Sequence, residues 1–130
     1  MLDKPDARAL LEAVGSFLTE EIAPVVDARV RFRALVAANV VRIALRELEL
    51  GPRLLEQECA RLRELLGEPT PAQSPATESL ARELNAKLCA RIESGQADGG
   101  EFRARVLDYL RVAVGAKLAI DNPKVGGRRD

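Results

Sequence analysis

Residues 27–52 read DARVRFRALVAANVVRIALRELELGP, and the spacing of apolar residues along this stretch decides the fold class. At about 100° per residue the segment has two apolar faces. Val30, Ala34, Ala37, Val41 and Leu48 fall on one, and most of them are small. Phe32, Leu35, Val36, Ile43 and Leu50 fall on the opposite one, and Arg29, Arg31, Glu47 and Glu49 lie on the flanks between. The period is that of a helix, with none of the strict alternation of a strand. Gly51–Pro52 reads as a sharp stop. The spacing therefore predicts a helix from Asp27 to Leu50. A helix apolar on two sides is central in a bundle or sandwiched at a subunit interface.

The same period extends outward in both directions. Upstream, a helix is expected from Pro5 to Ala23, with Asp3 or Lys4 at the cap and Pro5 at the first helical position. Leu10, Leu11, Val14, Phe17, Leu18 and Ile22 form its single stripe, and Pro24 ends or kinks it. Downstream, Leu54, Leu55, Cys59, Leu62, Leu65 and Leu66 mark a third helix from Pro52 to Leu66, terminated by Gly67. The segment Gly67–Pro75 (GEPTPAQSP) is the one long connection. A fourth helix is expected to start at Ser74–Pro75, with Leu80, Leu84, Leu88 and Ile92 inward and Gly95 at its end. A fifth begins after Asp98–Gly99–Gly100 and runs to Ile120, carrying Phe102, Val106, Tyr109, Leu110, Ala113, Val114 and Leu118, and Asn122–Pro123 closes it. The expected fold is all-α: about five helices in a single, mostly antiparallel bundle over residues 1–123, with a disordered tail over 124–130.

Composition narrows the function classes. The chain has 130 residues, 47% hydrophobic and 31% charged, which is globular composition. Such a chain buries roughly 65–70% of its unfolded surface, so it needs no disulfide or metal to fold. Lys plus Arg equals Asp plus Glu at 20 each. That argues against a nucleic-acid binder, which carries a basic excess. No His is present, which removes His general bases, the Ser–His–Asp and Cys–His arrangements, and nearly all zinc sites. The opening MLDKPDARALLEAV lacks the basic-then-apolar build of a signal peptide, and no window is apolar enough to span a membrane. A cytoplasmic location with reduced thiols is expected, and no metal or cofactor.

Candidate chemistry is sparse. Asn39, Arg42, Arg46 and Glu49 fall within about one quadrant of the second helix. Asn39 lies among Phe32, Val36 and Ile43, so it is expected to be buried. Two Arg at i and i+4 beside it can fork onto a carboxylate or phosphate. One reading is an anionic-ligand pocket lined by Asn39, Arg42 and Arg46, with Phe32, Leu35 and Ile43 on its apolar side. The other is structural: Arg46 pairs with Glu49, and Asn39 satisfies a neighbouring backbone end or fixes helix register. Cys59 and Cys89 sit on helical stripes and are expected to be inert buried hydrophobes. Glu20–Glu21, Glu47–Glu49 and Glu56–Glu58 read as solvated surface, with only Glu47 and Glu49 placed to touch a pocket. Gly99–Gly100 lacks the Lys and Ser/Thr of a phosphate loop, and Tyr109 reads as a core-edge residue whose hydroxyl reaches a partner. No catalytic residue is assigned.

Three segments carry a resemblance: Arg31 to Pro52, Leu88 to Asp98 and Leu118 to Val125, together with the opening Pro5–Asp6, Leu10–Leu11 and Val14. As a set they resemble a small bacterial helical family known only as a domain of unknown function. Its Arg-Val-Ala-x-Asn pattern corresponds to Leu35, Val36, Ala37, Ala38 and Asn39, with Leu35 in place of Arg. Its Arg-Glu-Leu is Arg46, Glu47 and Leu48. Its Ile-Arg-x-Gly reads Ile92, Glu93, Ser94, Gly95, and its closing Asn-Pro-Arg-Tyr reads Asn122, Pro123, Lys124, Val125. An anion site built on the replaced Arg and Tyr side chains would lose them here. The resemblance implies no known activity. It implies genes beside acyl-CoA dehydrogenases and aminoglycoside-phosphotransferase-like kinases, and hence an accessory role. The expected function is a helical interaction protein, more a binder than an enzyme. It would associate with itself or with such a partner enzyme, with no nucleic acid or membrane partner. The alternative is the small anionic-ligand binder at the second helix.

Overall fold

The computed structural model describes residues 4–71 and 73–126. Their regular structure is helical throughout, as the apolar spacing predicts. The elements are α1 (Ala7–Ser16), a π-helical segment (Phe17–Ile22), a 3-10 turn (Ala23–Val25), α2 (Ala28–Leu66), α3 (Glu78–Glu93), α4 (Gly100–Asp121) and α5 (Pro123–Gly126). The expected tail from Lys124 thus begins inside a helical turn, and residues 127–130 lie outside the described ones. The chain divides into two compact units, residues 1–50 and 51–130.

The largest departure from expectation is α2. The stop at Gly51–Pro52 does not occur, and one helix runs through Pro52 for 39 residues. A proline in a helix lacks the amide that would bond four residues back. Its ring also disfavours helical backbone at the preceding residue, partly by striking that residue's Cβ. Gly51 has no Cβ, so that part of the clash is absent, and the apolar periodicity on both sides outweighs the missing bond. The second and third expected helices are therefore one.

Unit 1 is an antiparallel helical hairpin. Three contacts set its direction. Arg8 pairs with Glu49, a Cβ at Gly15 would lie 3.6 Å from Val41 Cγ1, and the Arg31 Nε donates to the Ala23 carbonyl at 2.8 Å. As one helix ascends in number the other descends. Asp6, not the expected Asp3 or Lys4, caps α1 by accepting from the Ala9 amide at 2.9 Å, so the helix starts at Ala7 and not at Pro5, and Asp27 accepts in the same way from Val30 at 2.9 Å. The Thr19 hydroxyl donates to the carbonyls of Gly15 at 3.0 Å and Ser16 at 3.3 Å. Such back-bonding competes with the regular ladder, and the chain there widens into the π segment.

The first helix's stripe does not behave as one surface. Leu11, Leu18 and Ile22 are half-buried, whereas Leu10, Val14 and Phe17 are exposed. Among the described residues of unit 1 only Ala23, Ala34 and Ala38 are buried. Small residues let the two helices approach closely, Leu11, Leu18 and Val41 are half-buried at their contact, and many of the other large apolar residues are left exposed.

Unit 2 contains the large-residue core. Cys59, Leu62 and Leu65 of α2, Ala81, Leu84 and Leu88 of α3, and Val106 and Tyr109 of α4 form one buried cluster. The α3 start differs from expectation: the cap is Thr77, whose hydroxyl accepts from the Leu80 amide at 3.1 Å, with helix from Glu78. Ser74 is used elsewhere, its hydroxyl accepting from the buried Arg63 guanidinium at 3.2 Å. Gly67 and Gly95 end α2 and α3 as read from the sequence. Their φ values of 70° and 87° suit glycine, and the next amide bonds back into the last turn at 2.9 Å from Glu68 and 3.1 Å from Gln96. Cys59 is buried as expected. Cys89 is exposed, because it stands one residue past Leu88 on the outward side of α3.

Candidate functional site

In unit 2 three helices meet at a polar junction inside an otherwise apolar core. Glu58 comes from α2, Asn85 from α3 and Tyr109 from α4. Asn85 Nδ2 donates to Glu58 Oε1 at 3.1 Å and to the Ala81 carbonyl at 2.9 Å. The Tyr109 hydroxyl lies 3.3 Å from Glu58 Oε1 and 3.3 Å from Asn85 Oδ1. It has one proton for these two acceptors. Asn85 is on the core side because it follows Ala81 by four residues and precedes Leu88 by three, a spacing visible in the sequence. Glu58, read as solvated, is half-buried here.

Beside the junction is an open cleft of about 210 Å³ lined by Arg61, Glu64, Leu65, Arg105, Asp108 and Tyr109. Arg105 is partly committed, donating to the Glu64 carbonyl at 2.9 Å. Two Arg, one Glu and one Asp balance, so the cleft carries no strong field for an anion. Burial, and then the Glu58 charge, push the Tyr109 pKa well above its ordinary value of 10.0. The phenol is held protonated at neutral pH and serves as a hydrogen-bond donor, not a base. Burial, then Glu58, also push the Cys59 thiol up, which keeps it from acting as a thiolate nucleophile. Among the described residues no cluster of three His, Cys, Asp or Glu side chains could hold a metal ion.

The raised Tyr109 pKa has a sign that can be checked. A folded pKa above the unfolded one means the folded state holds the proton more tightly. The resulting stability is fully present below about pH 10 and is lost as pH rises beyond it. Tyr109→Phe is therefore expected to flatten the alkaline fall in stability. At neutral pH it should cost about 1–3 kcal/mol, because Glu58 and Asn85 lose a donor. Urea titrations at pH 7 and above pH 10 check both parts. Parallel alkaline slopes for the two proteins would contradict the role given to the phenol.

In unit 1 the structure places Phe32, Asn39 and Arg42 on exposed surface and Arg46 at intermediate depth. Asn39 is not buried as expected, since only the Ala34–Ala38 side of α2 is fully covered in this unit. Glu47 and Glu49 are exposed, and Glu49 pairs with Arg8 rather than with Arg46. The prominent feature of unit 1 is apolar: Leu10, Val14 and Phe17 on α1, and Val30, Phe32, Leu35, Val36, Val40 and Leu48 on α2 are all more than two-fifths exposed. Unit 2 leaves a narrower stripe of Leu107, Leu110 and Val114 on α4.

The fold and these sites define an all-α protein whose polar junction braces three helices. No described helix is long and apolar enough to cross a membrane. Residues 24–125 match the model of the family described as Domain of unknown function (DUF6285), and the chain belongs to that family. The match begins at Pro24, after α1. No curated protein and no solved structure matches the chain.

Proposed function

We propose that this chain is a helical interaction protein that presents the apolar side of its N-terminal hairpin to a protein partner. The observation that carries this reading is the inverted burial of unit 1. Its buried residues are the small Ala23, Ala34 and Ala38, whereas large side chains including Leu10, Val14, Phe17, Phe32 and Val40 are left exposed. Exposed apolar surface of this extent marks an interaction face. The family resemblance points to an acyl-CoA dehydrogenase or an aminoglycoside-phosphotransferase-like kinase as the enzyme served, in the cytoplasm of a bacterium. The test is co-purification of the tagged chain with such an enzyme from a co-expression host, using wild type and Val14→Glu. Near-stoichiometric recovery that is lost in the variant supports the reading. Equal recovery with both proteins, or none with either, removes it.

A second reading is the binding of a small anionic ligand by Asn39, Arg42 and Arg46 beside Phe32. It is favoured by the exposure of Asn39, Arg42 and Phe32 along neighbouring turns of one helix. Calorimetric titration with CoA esters and small carboxylates tests it. Binding that is weakened at least about tenfold by Asn39→Ala with Arg42→Ala supports it, and unchanged binding removes it.

A further inference from the structure

The two helices of unit 1 each have two edges, and the contacts between them determine which edges lie together. On α1 the line Leu11–Gly15–Leu18 turns toward α2. On α2 the line Ala34–Ala38–Val41 turns toward α1. Arg8 and Glu49 pair along one edge of the hairpin. Going round each helix in the opposite sense from that pair, α1 presents Leu10, Val14 and Phe17, and α2 presents Val30, Ala37, Val40, Ala44 and Leu48. These residues share the other edge. One side of the hairpin is thus a continuous apolar surface made by both helices.

We infer that this edge seats a second copy of the chain in an antiparallel, two-fold arrangement centred on Val40, giving a four-helix bundle. The inference rests on the reading above that this side is an interaction face, and takes a second copy, in place of the enzyme, as the occupant of this edge. Two observations argue for it. The first is area. The six exposed Leu, Val and Phe residues of this edge are 41–59% accessible. At on the order of 100–200 Å² per side chain of this size, they offer on the order of 500 Å². The alanines and neighbouring Val36 bring this toward the roughly 800 Å² per partner of a standard interface.

The second is charge. Arg33, Val40 and Glu47 are seven residues apart, so they lie along one line of α2 beside the apolar edge. The side chains of Arg33 and Glu47 make no hydrogen bond or ion pair with any described residue. A two-fold axis at Val40 brings Arg33 of one copy to Glu47 of the other, twice by symmetry. It also sets Val36 against Ala44, large against small. A parallel pairing would instead place Arg33 on Arg33 and Glu47 on Glu47.

The test is the mass of the full chain in solution, by light scattering or sedimentation equilibrium at micromolar concentration. Wild type is expected at twice the 14.1 kDa chain mass. Arg33→Glu and Glu47→Arg place like charges across the axis. Each alone should weaken the dimer by at least about tenfold. An equimolar mixture of the two variants restores both opposite-charge contacts and should dimerise, which also shows that each variant folds. In a Cys89→Ser background, Val40→Cys should oxidise to a disulfide-linked dimer. A wild type that stays monomeric overturns the inference. So does a dimer indifferent to both charge reversals, or a mixture no tighter than its components. If wild type is monomeric yet the enzyme is still captured through Val14, the interaction reading stands and this inference alone fails.

Discussion

Leu62→Ala should lower the unfolding free energy by about 3–5 kcal/mol. Leu62 is 0% exposed and belongs to the cluster formed with Cys59, Leu65, Leu84, Leu88, Val106 and Tyr109. Removing its isobutyl group forfeits the transfer free energy of the lost carbons and leaves a cavity. The walls come from three helices, which cannot all close on the gap without disturbing the Glu58–Asn85–Tyr109 junction beside them. For that reason the upper part of the range is expected. Urea denaturation followed by circular dichroism measures it. A loss below about 1 kcal/mol is the value for a partly exposed site, and it would mean that unit 2 is not packed around Leu62.

Pro52→Ala should act in the opposite direction, raising stability by about 1–3 kcal/mol. A helix-interior proline is about 3 kcal/mol less favourable than alanine, and Pro52 is exposed, so no packing is lost in the exchange. The new amide can bond toward Leu48, four residues back. The gain falls short of the full figure because proline also restricts the unfolded chain. The same denaturation experiment decides it. A neutral or destabilising result would mean that the helix is broken at Gly51–Pro52, as the sequence suggests, and not continuous through it.

These two residues also show where reading from sequence holds and where it stops. Leu62 is legible because its neighbours Cys59, Leu65 and Leu66 repeat at helical spacing, and a stripe of that kind needs a partner surface. Pro52 is not, because a local stop signal says nothing of how much packing on either side opposes it. Asn39 fails for a related reason. Its apolar neighbours on the helix predicted burial, but burial depends on which face a second element covers, and in unit 1 the small Ala34–Ala38 side is the one fully covered. Glu58 was masked by its resemblance to an ordinary surface carboxylate. Its depth comes from Asn85 and Tyr109, which stand 27 and 51 residues away.

Local periodicity and the helix-stopping glycine and proline residues determined by themselves that this protein is all-α and where α3 and α4 end. Only the tertiary structure decided that residues 28–66 form one helix, that the large core belongs to unit 2, and that the N-terminal hairpin leaves many of its larger apolar residues, Leu10, Val14, Phe17 and Val40 among them, exposed. Periodicity is a property of neighbouring residues and survives in any packing. The choice between two apolar faces of one helix is made by how closely small side chains let a second helix approach, and that distance is not written in either segment alone.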